Sequence, residues 1–341
     1  MKAKPIIAVT MGDPGGIGPE IILKTIREIK FDGSFYFLLI GSQAVFQFAS
    51  ERFGIPFRFN PIPTLEPAFM RDDSVNMLDI SDEADVLYEK INGSNRRTED
   101  VFSIGEVSLL NASLAFTALK VAAFQASCGL VSAIVTAPIH KEAMRLVDPK
   151  FSGHTEYLAK ISKTKEFAMS FYSPHFCVTL ATIHVPLKRV SAHLKTPEIL
   201  SKIMLTDVFL KKNLGIPHPK LAVAALNPHG SEFGDEEEEV IVPAVKEARK
   251  RGASVEGPLP GDQVFYDAFN KRFHAVIAMY HDQGLAPFKM LAFDTGVNVT
   301  LGLPFIRTSP DHGTAFDIAY QNKARHLSFQ QSFKLVLDCT K

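Results

Sequence analysis

Cysteine is scarce in this chain. Its 341 residues include three, Cys128, Cys177 and Cys339, and none forms a C-x-x-C pair. That excludes a disulfide framework and a thiolate zinc site, and it fits a reducing compartment. Net charge is missing too. The 37 basic residues balance the 37 acidic ones, so no global field draws the protein to nucleic acid or anionic lipid, and any anion site must be local. Long hydrophobic runs are also lacking: none approaches the roughly 20 apolar residues of a membrane helix. The opening MKAKPIIAVTMGDPGG starts basic, but Pro5, Gly12 and Pro14 break up the apolar stretch that a secretory signal needs. No period of 20–50 residues repeats, which excludes solenoids and propellers. The expectation is a soluble cytoplasmic protein.

The chain is long enough for two ordinary domains. IIAVTM (6–11) is a short β-branched run that reads as a buried strand, and EIILKTIREIK (20–30) has apolar residues at helical spacing. Between them lies GDPGGIGPE (12–20). Such an entry can turn backbone N–H groups toward an anion or can simply be a tight turn, and local sequence leaves both readings open. It matches neither G-x-G-x-x-G nor G-x-x-x-x-G-K-[ST], so no nucleotide fingerprint is met. SFYFLLIG (34–41) predicts a strand, residues 42–54 a helix ended by Gly54, residues 105–129 a long helix and LVSAIVTAP (130–138) another buried strand. NGSNRRTED (92–100) reads as an exposed loop. This alternation predicts an α/β fold with doubly wound, mainly parallel sheets, whose ligands gather at the carboxyl ends of the strands.

Polar residues fall at those ends. Thr136, His140 and Lys141 follow one strand, and His154, Thr155 and Glu156 open the next helix. The last two suit either helix capping or substrate contact. Three further apolar strands end in histidine: CVTLATIH at His184, LAVAALNPH at His229 and AVIAMYH at His281. One such histidine is unremarked in a core, but three at corresponding positions predict a three-imidazole metal site that only a fold could assemble. The stretch Met279–Ile318 adds Asp282, Lys289, Asn298 and Arg307, a cationic and amide set suited to a phosphate or carboxylate. Asp262, among the prolines and glycines of GPLPGDQVF, and Asp282 are the candidate catalytic or orienting carboxylates. The run DEEEE (235–239) reads as a solvated first helical turn.

Together the stretches GDPGGIGPE, TAPIHKEA, GHTEYLA, TIHVPL, LNPH, GPLPGDQVF, YHDQGLAPFK and GVNVTLGLPFIRTSPDHGTA resemble the 4-hydroxythreonine-4-phosphate dehydrogenase family of vitamin B6 biosynthesis. The glycine-rich opening also resembles the turn of isocitrate and isopropylmalate dehydrogenases, whose two-domain fold that family shares. The resemblance implies His184, His229 and His281 as ligands of a divalent metal (Zn, Mg or Co). It implies His154, Thr155, Lys289, Asn298 and Arg307 as substrate contacts and NAD or NADP as hydride acceptor. It further implies an interdomain cleft completed across a homodimer, with residues 1–138 and 303–341 forming one domain and 139–302 the other. The expected reaction is metal-dependent oxidation of 4-phosphooxy-L-threonine at C3, followed by decarboxylation. Same-family oxidation of 4-phospho-D-erythronate or threonate is the alternative, and a metal-dependent phosphatase would use a similar residue set. Two departures from the family pattern stand out: GSEFGDEEEE after LNPH, and MLAFDT before GVNVT.

Overall fold

The computed structural model describes residues 4–93 and 102–340; from residue 94 onward the loop expected at 92–100 lies outside them. The chain divides into two compact units, Met1–Lys163 with Pro304–Lys341, and Thr164–Leu303. The first unit contributes β1 (Ile6–Thr10), β2 (Tyr36–Gly41), β3 (Phe59–Pro61), β4 (Val75–Asp79) and β5 (Ala133–Thr136). The second contributes β6 (Ala168–Tyr172), β7 (Cys177–Leu180), β8 (Lys220–Ala224), β9 (Ser254–Leu259), β10 (Ala275–Ala278) and β11 (Val297–Leu301), after which β12 (Ile306–Pro310) returns to the first.

In the first unit the strand order is β3-β4-β2-β1-β5-β12, and every pairing is parallel. Parallel sheets need cover on both faces, which is why β1 and β2 are nearly continuous apolar runs. The helix Leu109–Ser127 is the longest element packed on them, and Leu114, Ala118, Leu119 and Ala122 are fully buried or nearly so. Among the described residues it is the one helix long and apolar enough to cross a membrane, although the sequence reading foresaw no such run. Two thirds of it is buried inside the unit, the pattern of a core helix that is apolar all round. Residues 139–163, which the sequence reading grouped with the second domain, belong to this unit. Their helices Lys141–Val147 and His154–Ile161 pack on Leu109–Ser127, where Phe116 meets both Phe151 and Tyr157.

In the second unit the order is β11-β6-β7-β10-β8-β9. Pairings from β7 through β10 and β8 to β9 are parallel, while β6 runs antiparallel to both β7 and β11. The mainly parallel α/β expectation is met. The core beneath β7, β10 and β8 centres on Phe288, fully buried and packed against Phe171 and Phe176 at 5.9 and 6.1 Å between ring centroids. Truncating a side chain of that size costs about 3–5 kcal/mol, so Phe288 pins the helix His281–Ala292 to the sheet.

Candidate active site

The carboxyl ends of β7, β10 and β8 lie side by side because these three strands are parallel neighbours. His184, His281 and His229 follow them in that order. The β7–β10 ladder continues past its last paired residues: the Ala181 N–H donates to Ala278 O at 2.8 Å, and the Thr182 hydroxyl to Met279 O at 2.7 Å. His184 and His281 each stand two residues beyond that last link, and their rings lie 6.1 Å apart between centroids. Gly284 makes the approach possible, since a Cβ there would meet Val178 Cγ1 at 2.7 Å. Asp282 Oδ1 accepts from His281 Nδ1 at 2.7 Å. That bond fixes the tautomer and leaves Nε2 to face a ligand, the usual orientation of a metal-binding imidazole.

His229 stands apart. Its backbone is left-handed (φ 57°) and its ring lies against Phe233 at 6.1 Å. Among the described residues no three His, Cys, Asp or Glu side chains are grouped closely enough to hold a metal ion. The donor set therefore suits a divalent ion in kind, with two of the three imidazoles also suited in position.

The base of the His229 segment is fixed by a side chain that the sequence reading placed in solvent. Glu237 is fully buried. Its Oε1 accepts from the backbone N–H groups of Leu226 and Asn227, both at 2.8 Å, and its Oε2 from Asn227 Nδ2 at 2.9 Å. The DEEEE run is thus a solvated turn only in part. It leads into a π turn, Glu237–Ile241, with Pro243 two residues beyond its end, where the missing N–H disrupts regular helical bonding. Gln283 is a second brace. Its Oε1 accepts from Met279 N and its Nε2 donates to Ala225 O, both at 2.7 Å, tying the end of β10 to that of β8. Asp262 is exposed in the first turn of the helix Gly261–Phe269. Lys289 is half-buried on the helix that His281 opens, and Asn298 sits in β11 opposite Phe171 with a buried Oδ1 that has no hydrogen-bond partner.

The first unit holds another constellation. Arg307, 3% exposed on β12, donates from Nη2 to Thr136 Oγ1 at 2.7 Å. Burial pulls its guanidinium down to about 9 and the Glu156 carboxylate opposes the fall, so it stays cationic at neutral pH. His154 is held well below the ordinary histidine value, first by burial and then by the positive charges of Arg307 and Lys141. Its Nε2 is buried and has no hydrogen-bond partner. A neutral imidazole near two cations can bond an anionic oxygen while the cations balance its charge. Thr155 is buried in the first turn of the same helix. His140 stacks on Phe316, with centroids 5.1 Å apart and planes 15° from parallel, and its buried Nδ1 likewise has no partner. The GDPGG turn is different: the N–H groups of Asp13, Gly15, Gly16 and Ile17 all bond within the unit, to Pro138 O, Asp13 Oδ1, Asp13 O and Thr314 O. Of its two open readings, the structural turn holds.

Residues 35–336 match the family profile described as pyridoxal phosphate biosynthetic protein PdxA. The chain belongs to this family. A 4-hydroxythreonine-4-phosphate dehydrogenase of Desulforapulum autotrophicum is 41% identical over 97% of this chain and 94% of its own length. A D-threonate 4-phosphate dehydrogenase of Pectobacterium atrosepticum is 39% identical over 97% and 98%. The crystal structure of 4-hydroxythreonine-4-phosphate dehydrogenase from Klebsiella pneumoniae superposes with a TM-score of 0.84 at 37% identity, covering 99% of this chain and all of that one. The PdxA-family match spans β2 to β12, and so includes both constellations.

Proposed function

We propose that this PdxA-family chain is a nicotinamide-dependent dehydrogenase that oxidises the C3 hydroxyl of 4-phosphooxy-L-threonine. The product, 2-amino-3-oxo-4-phosphooxybutanoate, loses CO₂ to give 3-amino-2-oxopropyl phosphate on the route to pyridoxal phosphate. The observation that carries this reading is the 41% identity, over nearly the whole chain, to a relative bearing that activity as its name. The specific alternative is 4-phospho-D-threonate as substrate, favoured by the D-threonate 4-phosphate dehydrogenase at 39% identity, with 4-phospho-D-erythronate as its sugar-acid analogue.

In this reading His184, His229 and His281 hold a divalent ion (Zn, Mg or Co), and Asp282 orients His281. When bound, the ion and NAD or NADP supply polarisation of the substrate hydroxyl and acceptance of hydride. Arg307 and Lys289 neutralise the phosphate and carboxylate, while Asn298, Thr155 and neutral His154 supply uncharged hydrogen bonds that fix orientation. Arg307 is pre-set for this by the Thr136 hydroxyl. Asp262 and Asp282 are the carboxylates assigned to proton handling. The protein works as a homodimer in the cytoplasm, a location consistent with its few free cysteines.

The test is nicotinamide reduction by purified, metal-loaded protein, with NAD and NADP in separate runs. The substrates are 4-phosphooxy-L-threonine, 4-phospho-D-threonate and 4-phospho-D-erythronate. Turnover of the amino acid alone supports the proposal, and preference for a sugar acid moves the protein to the alternative. No reduction with any of the three, with phosphate released in the absence of nicotinamide, would replace both with a hydrolase.

A further inference from the structure

We infer that Glu237 is a positioning residue that sets the His229 arm of the metal site. The inference rests on the three-histidine reading above and deepens it. His229 is the imidazole least constrained by the sheet, five residues past the end of β8 and in left-handed backbone. Something else must fix its base. Glu237 is a fully buried carboxylate whose two oxygens take three hydrogen bonds, all from Leu226 and Asn227, the residues just before Pro228-His229. Glu236 adds a fourth bond, accepting from Asn227 Nδ2 at 2.9 Å. Charge-assisted bonds from a buried carboxylate to backbone N–H groups are among the stronger ones a loop can have. Their number and direction match the need of a ligand arm that must present one imidazole repeatedly at one place.

A carboxylate buried only for stability would serve any part of the fold equally, whereas this one touches the His229 arm through every bond it accepts. Glu237→Gln keeps the size but replaces one acceptor with an N–H donor, which then faces donors. Outer partners of metal ligands typically govern about 10- to 100-fold in metal affinity. Glu237→Gln should therefore weaken Co²⁺ binding at least about tenfold and alter the visible Co²⁺ absorption toward a site with fewer nitrogen ligands. In a His229→Ala background the same substitution should change affinity by less than about twofold, because both act through one arm. Exposed Glu239→Gln is the control and should bind as wild type.

The measurement is Co²⁺ titration followed by absorbance and calorimetry, with circular dichroism to confirm folding. Wild-type affinity in Glu237→Gln, or an undiminished loss in the His229→Ala background, overturns the inference and leaves the three-histidine reading standing. Failure of the wild-type protein to bind Co²⁺ overturns that reading and the inference with it. If Glu237→Gln does not fold, Asn227→Ala decides. It removes the side-chain half of the brace and should weaken binding several-fold with the same dependence on His229; affinity as in wild type overturns the inference.

Discussion

Asp13→Asn tests how the opening turn is built. Asp13 is 1% exposed, with Oδ1 accepting from Gly15 N–H at 2.9 Å and Oδ2 making no hydrogen bond. Burial raises its carboxyl from 3.8 to about 6, against the opposing hydrogen bonds of Gly15 and Asn111. Across that interval the folded chain keeps a proton that the unfolded chain has released. Asp13 thus contributes its full stability below pH 3.8 and loses it as pH climbs through about 6. At about 1.36 kcal/mol per pH unit, the loss comes to about 3 kcal/mol. Asparagine keeps the acceptor for Gly15 but does not titrate, and whatever its new amide costs is independent of pH. The observable is therefore the change, with pH, in the stability difference between variant and wild type. The chain has no tryptophan, so urea unfolding is followed by far-ultraviolet circular dichroism, in the transition of the unit that contains Asp13. From about pH 4 to about pH 8 the difference should move by roughly 2–3 kcal/mol in favour of Asp13→Asn. A difference that does not vary with pH would refute the buried, raised carboxyl.

Other substitutions probe the two constellations. Arg307→Lys keeps the charge but loses the planar fork anchored on Thr136, and should raise KM for the phosphorylated substrate about tenfold; steady-state kinetics with an unchanged KM would rule out the assigned contact. His154 should remain neutral through pH 6.5 by imidazole proton–nitrogen NMR. The unfolded chain takes up a proton there and the folded chain does not, so this histidine lowers stability as pH falls through its ordinary value; an ordinary midpoint in the folded protein would contradict the burial. Asp282→Asn should cut Co²⁺ affinity about tenfold by loosening His281, with wild-type affinity as the contrary result. Gly234→Ala would push a Cβ into Asn227 Nδ2 and Glu236 Oε2, and should lower metal affinity while moving the melting temperature little.

Much of this was legible in the sequence because strand-end chemistry leaves a local mark. An apolar run followed by a polar residue shows where a parallel strand delivers a side chain, and the strands before His184, His229 and His281 fall where their runs predict. Neighbouring strands are another matter. Nothing in CVTL, KLAVA or AVIA says that β10 lies between β7 and β8, since pairing order is set by crossovers and not by the runs themselves. Glu237 was misread for a different reason. A run of four glutamates looks like a solvated helix start, but Glu237, Ile241, Ala244, Val245 and Ala248 share one buried face at helical spacing. Reading that stripe backwards from Ile241 would have placed Glu237 inside. The turn at Gly12–Glu20 could not be decided locally, because two of the four acceptors that occupy its N–H groups, Pro138 O and Thr314 O, come from far along the chain, the other two being oxygens of Asp13 itself.

The three histidines differ in how tightly the fold holds them, and the difference can be tested at Gly284. His281 stands three residues past the end of β10 and opens a helix; His184 stands four past β7; His229 stands five past β8. The first two depend on the helix His281–Ala292 lying close over β7, which Gly284 permits. A Cβ at that position would meet Val178 Cγ1 at 2.7 Å, Ala278 Cβ at 3.0 Å and Leu180 Cδ2 at 3.0 Å. These are well-packed core atoms, not flexible ends, so Gly284→Ala must shift the helix away from the strand. Overpacking of this kind costs about 1–3 kcal/mol, and the shift carries His281 away from His184. The variant should thus lose stability and Co²⁺ affinity together, whereas Gly234→Ala should lose affinity with little change in stability. Calorimetric melting and Co²⁺ titration of both variants separate the two devices. If Gly284→Ala kept wild-type affinity despite its destabilisation, the His184–His281 approach would be no part of the proposed metal site.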